Sequence, residues 1–289
     1  MGTSRRLGFV LPLVAVSLAA CGSPLAQAVT PVQALASYEQ KVSQLKSAKF
    51  DMNGSMQMQF SAELIQALSQ GNASAAASLS NVSFTLKGTG EIQYPGQMSM
   101  KMNMTIGGTS VDIEEVLTGG KLYIKNPLTN NWISSANLSQ LSGQAGQVDA
   151  LTATKLPGTQ KSVTNLGDTK LNGVDVYHYL IIPDKAKLAQ QMGGSAALSS
   201  PQAQALLRDL LDRGNFELET WIGKSDYLPR RISIKESFTM DLAKAMAVLG
   251  SGTSAGSKLP AGDVHFTADI VLTFHDFNAP VSIKAPTVN

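Results

Sequence analysis

From Phe50 to Phe60 the chain alternates. Phe50, Met52, Met56, Met58 and Phe60 fall on one side, and Asp51, Asn53, Ser55, Gln57 and Gln59 on the other. The same period of two runs through Val82, Phe84, Leu86, Ile92 and Tyr94, and again through Met98, Met100, Met102, Met104 and Ile106. Side chains of a strand point alternately to opposite faces, so this pattern predicts strands with one dry and one wet face, as in antiparallel sheets. Further strands are expected at Val111–Leu117, Lys121–Lys125, Val174–Ile182, Phe216–Ile222, Arg231–Met240 and Val264–Phe274, nine or ten in all. Tyr94-Pro95-Gly96-Gln97, Gly107-Gly108 and Asn172-Gly173 supply the tight turns between them.

Helical spacing interrupts this meander. Thr30-Pro31 offers an N-cap and a first-turn proline, and Leu35, Tyr38, Val42 and Leu45 then predict an amphipathic helix to about Ser47. Ser200-Pro201 opens a second, with Ala203, Leu206, Leu207, Leu210 and Leu211 on one face and Gly214 at its end. Asp241 caps a third through Leu249, and Ala62–Ser69 and Lys185–Met192 predict shorter ones. Gly71–Ser80, Gly193–Ser199 and Gly250–Gly262 read as loops, and Asn137–Thr154 as a loosely held flap. No composition break divides the chain. The expected fold is α+β, mainly β: one curved antiparallel sheet whose apolar face is covered by helices.

The first residues differ from the rest. Arg5 and Arg6 precede an apolar run of only 14 residues, Leu7 to Ala20, too short for a spanning helix of about 20. The run ends in Leu18-Ala19-Ala20-Cys21, the pattern of a bacterial lipobox, in which a thiol accepts a diacylglyceryl group. Cys21 is the single cysteine of the 289 residues, so no disulfide can form within the chain. The expected organisation is a signal peptide over 1–20, a lipidated tether over 21–29 and one domain over 30–289. The mature protein would be exported and anchored to the outer face of the cell membrane through Cys21.

Composition narrows the chemistry. Lys plus Arg number 23 against 21 Asp plus Glu. Loss of 1–20 removes Arg5 and Arg6 and no acid, leaving a balanced mature chain and arguing against nucleic acid as a partner. No G-x-S-x-G, H-E-x-x-H or Walker A motif occurs, so neither catalysis, metal nor cofactor is expected. Ser43-Gln44-Leu45-Lys46 matches S-x-x-K without the accompanying elements. His178 shares a register with Val174, Val176 and Leu180 and reads as an interior histidine, whereas His265 falls on the polar face. Glu114-Glu115 breaks its strand's alternation and reads as a bulge or an edge. Trp132, Tyr123, Tyr177 and Tyr179 could rim a pocket, and read taken singly as half-buried sheet residues. Seven of the eleven methionines, Met52, Met56, Met58, Met98, Met100, Met102 and Met104, lie on two dry faces. Flexible, polarizable methionines line surfaces that accept varied apolar partners, and they also fill ordinary cores.

Several segments carry a family resemblance. Phe274-His275-Asp276-Phe277-Asn278-Ala279-Pro280-Val281-Ser282-Ile283 with Pro286, the hairpin Leu171–Tyr179 followed by Pro183-Asp184, and Tyr227-Leu228-Pro229-Arg230-Arg231-Ile232 resemble the LppX/LprG-type lipoproteins of actinobacteria, which share a LolA-like fold. The resemblance implies a half-open barrel with helices on its concave face. It also implies a hydrophobic cavity that carries lipid or lipoglycan, with an envelope transporter as a further partner. The alternative is a non-enzymatic sensor or protein-interaction module with a filled core.

Overall fold

The computed structural model describes residues 29–70, 72–94, 96–127, 129–134, 160–193, 200–249 and 262–288. Eleven strands form one antiparallel sheet: β1 (Ser47–Phe60), β2 (Val82–Gln93), β3 (Gln97–Ile106), β4 (Thr109–Thr118), β5 (Lys121–Lys125), β6 (Trp132–Ser134), β7 (Gln160–Leu171), β8 (Val174–Pro183), β9 (Asn215–Gly223), β10 (Pro229–Asp241) and β11 (Asp263–His275). Their spatial order is β6-β5-β4-β3-β2-β1-β11-β10-β9-β8-β7. Two meanders thus meet at the pairing of the first strand with the last. It runs from Lys49 opposite His275 to Phe60 opposite Val264. The sheet is open, with β6 and β7 at its edges.

The helices are α1 (Pro31–Ser43), α2 (Ala62–Ser69), α3 (Ala73–Leu79), α4 (Lys185–Gly193), α5 (Pro201–Arg213) and α6 (Leu242–Leu249). Thr30 caps α1 in a full capping box with Gln33. The helix ends at Gln44, three residues short of the expected limit, because Ser47 already belongs to β1. Ser200 and Asp241 cap α5 and α6 as the sequence predicts.

Helix α1 explains the curvature. Ala34, Leu35, Tyr38 and Val42 form its buried stripe, packed in one cluster with Phe50 and Met52 of β1, Met98 of β3, Ile181 of β8, Leu218 of β9, Ile232 of β10 and Leu272 of β11. From β3 to β8 is seven strands, which laid flat would span about 29 Å at ordinary strand spacing. A helix is only about 10–12 Å across with its side chains. One helix therefore joins both wings in a single core only because the sheet curls around it. The half-open curved sheet expected from the sequence is the observed architecture.

Several expectations change. Gly71–Ser80 is not simply a loop: it contains α3, whose first turn is capped by the Asn72 side chain accepting from the Ser74 amide. Strands β6 and β7 escape the hydrophobic pattern, and β7 is exposed at most of its positions because it is an edge. The flap at Asn137–Thr154 lies outside the described residues, as does most of Gly193–Ser199 and Gly250–Gly262.

The chain closes with a clamp. The Asn278 side chain accepts from the Lys46 amide at 2.9 Å, and the Ser47 hydroxyl donates to the Ala279 carbonyl. Arg230 lies over the Phe277 ring. The segment after β11 thereby ties down the α1–β1 junction.

Candidate functional site

The register of the ladders assigns each side chain to a face. On the α1 side, Phe50, Met52, Met56 and Met58 of β1 stand beside Phe274, Leu272, Ala268 and Phe266 of β11. They also stand beside Gly90, Gly88, Phe84 and Val82 of β2. Met98, Met100, Met102 and Met104 of β3 continue the same rows opposite Ile92, Gly90, Gly88 and Leu86. The seven methionines thus share one dry, concave face. Two of them, Met52 and Met98, are each 8% exposed and belong to the core with α1. Met56, Met100, Met102 and Met104 pack against that core while half-buried. Met58 is half-buried farther along β1. The face is therefore filled at the α1 end and becomes an accessible apolar wall beyond it.

At the far end the wall turns aromatic. Phe216, Phe238 and Phe266 meet across β9, β10 and β11, the first pair stacked with ring centroids 6.5 Å apart and the second tilted at 4.9 Å. Ala203, Leu207 and Leu211 of α5 pack with Phe216, and both α5 and α6 contact β10.

Two acids stand on this face. Glu115 does not sit at a bulge: β3 and β4 pair without a register shift, and Glu115 lies directly opposite Met100 and Ile124. Glu114 takes the other face and bonds Lys125 at 2.7 Å, with Lys101 at 3.5 Å. The alternation of β4 is intact, and an acid occupies an apolar position in it. Glu236 does the same on β10, between Ile234 and Phe238 along the strand and opposite Ala268 and Phe216 across it. Burial pushes both carboxyls above the ordinary range.

Two hydroxyls are also enclosed. Tyr179 and Thr220 are direct register partners on the concave side, 0% and 3% exposed. Neither hydroxyl has a hydrogen-bond partner among the described residues. Burial, with the neighbouring phenols of Tyr177 and Tyr227 and the Asp168 carboxylate, raises the Tyr179 phenol to about 12. Tyr177 stacks on both Tyr179 and Tyr227.

The histidines belong elsewhere. His178 is not interior. Its odd-numbered neighbours Tyr177 and Tyr179 take the concave side, and its ring stacks on Trp221 at 4.1 Å and bonds Glu219 at 2.9 Å on the outer face. Val174, Val176 and Leu180 share its register, but Val176 is fully buried there opposite Gly223, so an apolar register does not by itself mark the concave side. His265 meets Thr239 and Ser237, polar neighbours as expected. No group of three potential metal ligands occurs among the described residues. Among them, too, no helix is long and apolar enough to cross a membrane.

Among the described residues, three clefts open to solvent stand out. One of about 590 Å³ lies between α4 and α5, edged by Lys185, Gln190, Gln204, Arg208 and Asp212. Grooves of about 340 and 440 Å³ follow outward residues such as Gln57 and Lys235, and Asp51 and Lys101. Their polar margins suit water better than an acyl chain. The concave wall is the apolar candidate.

The fold defines a class: an open antiparallel sheet curled around a helix, dry within and wet without. No family model and no curated protein matches the chain. Among solved structures it is similar to lipoprotein LppX of Mycobacterium tuberculosis, at 11% identity over 88% of this chain and 97% of that one, with a TM-score of 0.42. It is also similar to LprF from Mycobacterium bovis, at 13% identity over 88% and 96%, with a TM-score of 0.43. A putative outer membrane lipoprotein-sorting protein domain from Vibrio parahaemolyticus aligns over 86% and 93% at 12% identity, with a TM-score of 0.25. Cys21 lies outside the described residues.

Proposed function

We propose that this protein is an envelope lipoprotein that holds the acyl chains of a lipid or lipoglycan against its concave face and carries or chaperones them. The observation behind this reading is the methionine wall, apolar yet half-buried at Met56, Met100, Met102 and Met104 beyond the α1-packed core. A contiguous apolar surface of this kind costs free energy while wet and marks a binding surface. Methionine side chains repack around chains of different length, which suits a carrier better than a fixed core does. In this reading residues 1–20 direct export, Cys21 bears the lipid and 21–29 is a tether holding the domain at the outer face of the cell membrane. An envelope transporter would be the partner for delivery. The absence of nucleophile motifs from the sequence supports binding rather than catalysis.

Native mass spectrometry of the purified protein tests this directly. Co-purified lipid is the expected result, and a clean apo mass after expression in several lipid backgrounds sinks the proposal. A second reading, a sensor or interaction module with a filled core, draws on the α1 end of the face, where Met52 and Met98 are already sealed. It predicts no lipid and no accessible wall.

A further inference from the structure

Glu236 is an acid in a place built for an apolar residue. On the outer face, its neighbour Lys235 bonds Glu219 at 3.0 Å, so β10 satisfies its charges where water is near. On the concave face the same strand carries Ile232, Ile234, Glu236, Phe238 and Met240 in succession. Small Ala268 separates Glu236 from Met56 in the adjoining row, so the acid borders the methionine wall. Of the charges on the elements packed around it, Arg208 and Asp212 of α5 line the cleft shared with α4. Arg213 pairs with Asp209 on α5, and Lys244 pairs with Asp241 ahead of α6. Glu217 and Asp269 point to the outer face with Lys235. Among the described residues no hydrogen bond or ion pair reaches the Glu236 carboxyl, and burial alone shifts it upward.

A half-buried carboxyl without a partner is costly to the empty protein. It becomes favourable when a ligand supplies the missing donor, and it penalises a ligand that brings a second negative charge. Resting on the lipid-binding reading above, we infer that Glu236 selects amphiphiles whose head group donates hydrogen bonds, an amine or a hydroxyl, over amphiphiles with anionic heads. The chain lies along the methionine wall and the head stops at Glu236, beneath α5 and α6. An ammonium head forms an ion pair with the carboxylate, and a hydroxyl head donates to it. A carboxylate or phosphate head meets repulsion, because among the described residues no cation pairs with the Glu236 carboxyl.

Three ligands of one chain length separate head from tail: dodecylammonium, dodecanol and dodecanoate. Each competes at neutral pH for the delipidated full chain against an uncharged fluorescent probe, 1-N-phenylnaphthylamine. The expected order places dodecylammonium and dodecanol ahead of dodecanoate by about tenfold or more, since a site built for a donor rejects a ligand lacking it. Glu236→Leu brings the three within about twofold while the probe still binds. Glu236→Gln, nearly the same shape, keeps the fold by circular dichroism, retains dodecanol and loses the ammonium preference. Dodecanoate binding the wild type as tightly as dodecylammonium overturns the inference, as does an unchanged order in Glu236→Leu. In both cases lipid binding itself survives. Failure of the probe and all three ligands to bind the wild type overturns both readings together.

Discussion

The Phe50 ring lies on Gly90 of the neighbouring strand, so closely that a β-carbon at position 90 would stand 2.2 Å from its Cζ atom. The pair sits where β1, β2 and the α1 core meet, and the aromatic ring occupies the space that a side chain would take. Gly90→Ala therefore overpacks the core, and chemical denaturation is expected to show a loss of about 1–3 kcal/mol. Phe50→Leu should recover part of that loss in the double variant. If the two losses simply add, the contact is not the cause.

The methionine wall separates binding from folding. Met56→Trp and Met102→Trp should fill the half-buried face, leave the fold cooperative and abolish co-purified lipid in the native mass spectrum. Phe50→Ala, in the sealed core, should instead destabilise by about 3–5 kcal/mol. A tryptophan that unfolds the protein as severely as Phe50→Ala would favour the filled-core reading.

Acid and base limbs of the stability profile have different owners. Burial raises the Glu219 carboxyl, but hydrogen bonds from Lys235 and His178 outweigh it and hold the pKa below 4.5. Its contribution is present above the unfolded value and is lost as pH falls through the folded one. Glu219→Gln should remove about 0.5–1 kcal/mol at neutral pH and flatten the acid limb of a pH series of thermal melts.

Glu115 and Glu236 have the opposite sign. Burial raises both above 4.5, so the folded state keeps protons that the unfolded chain has released. Stability falls as pH rises from that value through the folded ones. The double variant Glu115→Gln, Glu236→Gln should lose this decline and gain about 1 kcal/mol at neutral pH in the ligand-free protein. An unchanged profile would mean that the carboxyls are solvated.

Thr220 and Tyr179 bury hydroxyls without protein partners among the described residues. Replacing such a group by an apolar one of the same shape is neutral or stabilising. Thr220→Val and Tyr179→Phe should each leave the melting temperature unchanged or raise it. A fall of several degrees in either would show that the hydroxyl is satisfied in solution.

Much of this fold was legible in the alternation of apolar and polar residues. Met98 to Ile106 lie on β3 and Val264 to Phe274 on β11, because a one-sided sheet must repeat every two residues. Edge strand β7 was hidden: Gln160–Leu171 is mostly exposed and needs no apolar face, so no periodicity marks it. Helix α3 is built from alanine and serine, which compose loops as readily. The two acids were within reach. Ile113-Glu114-Glu115-Val116-Leu117 and Ile234-Lys235-Glu236-Ser237-Phe238 keep their period through a glutamate. Treating the acid as a break in the pattern, rather than as a polar residue in a dry register, concealed it. Pairing of β1 with β11 was not readable, since nothing local in either strand names its partner.

That pairing orders events in time. Lys49 waits for His275, and the central ladder of the sheet joins residues more than two hundred positions apart. A ladder of such long sequence separation forms late, after a large loop-closure cost. A chain made N-terminus first cannot zip its middle until its last strand has followed. Before then each meander has an unpaired edge at β1 or β10, and the concave face has no continuous wall. The topology itself withholds a continuous apolar interior until the whole chain has arrived.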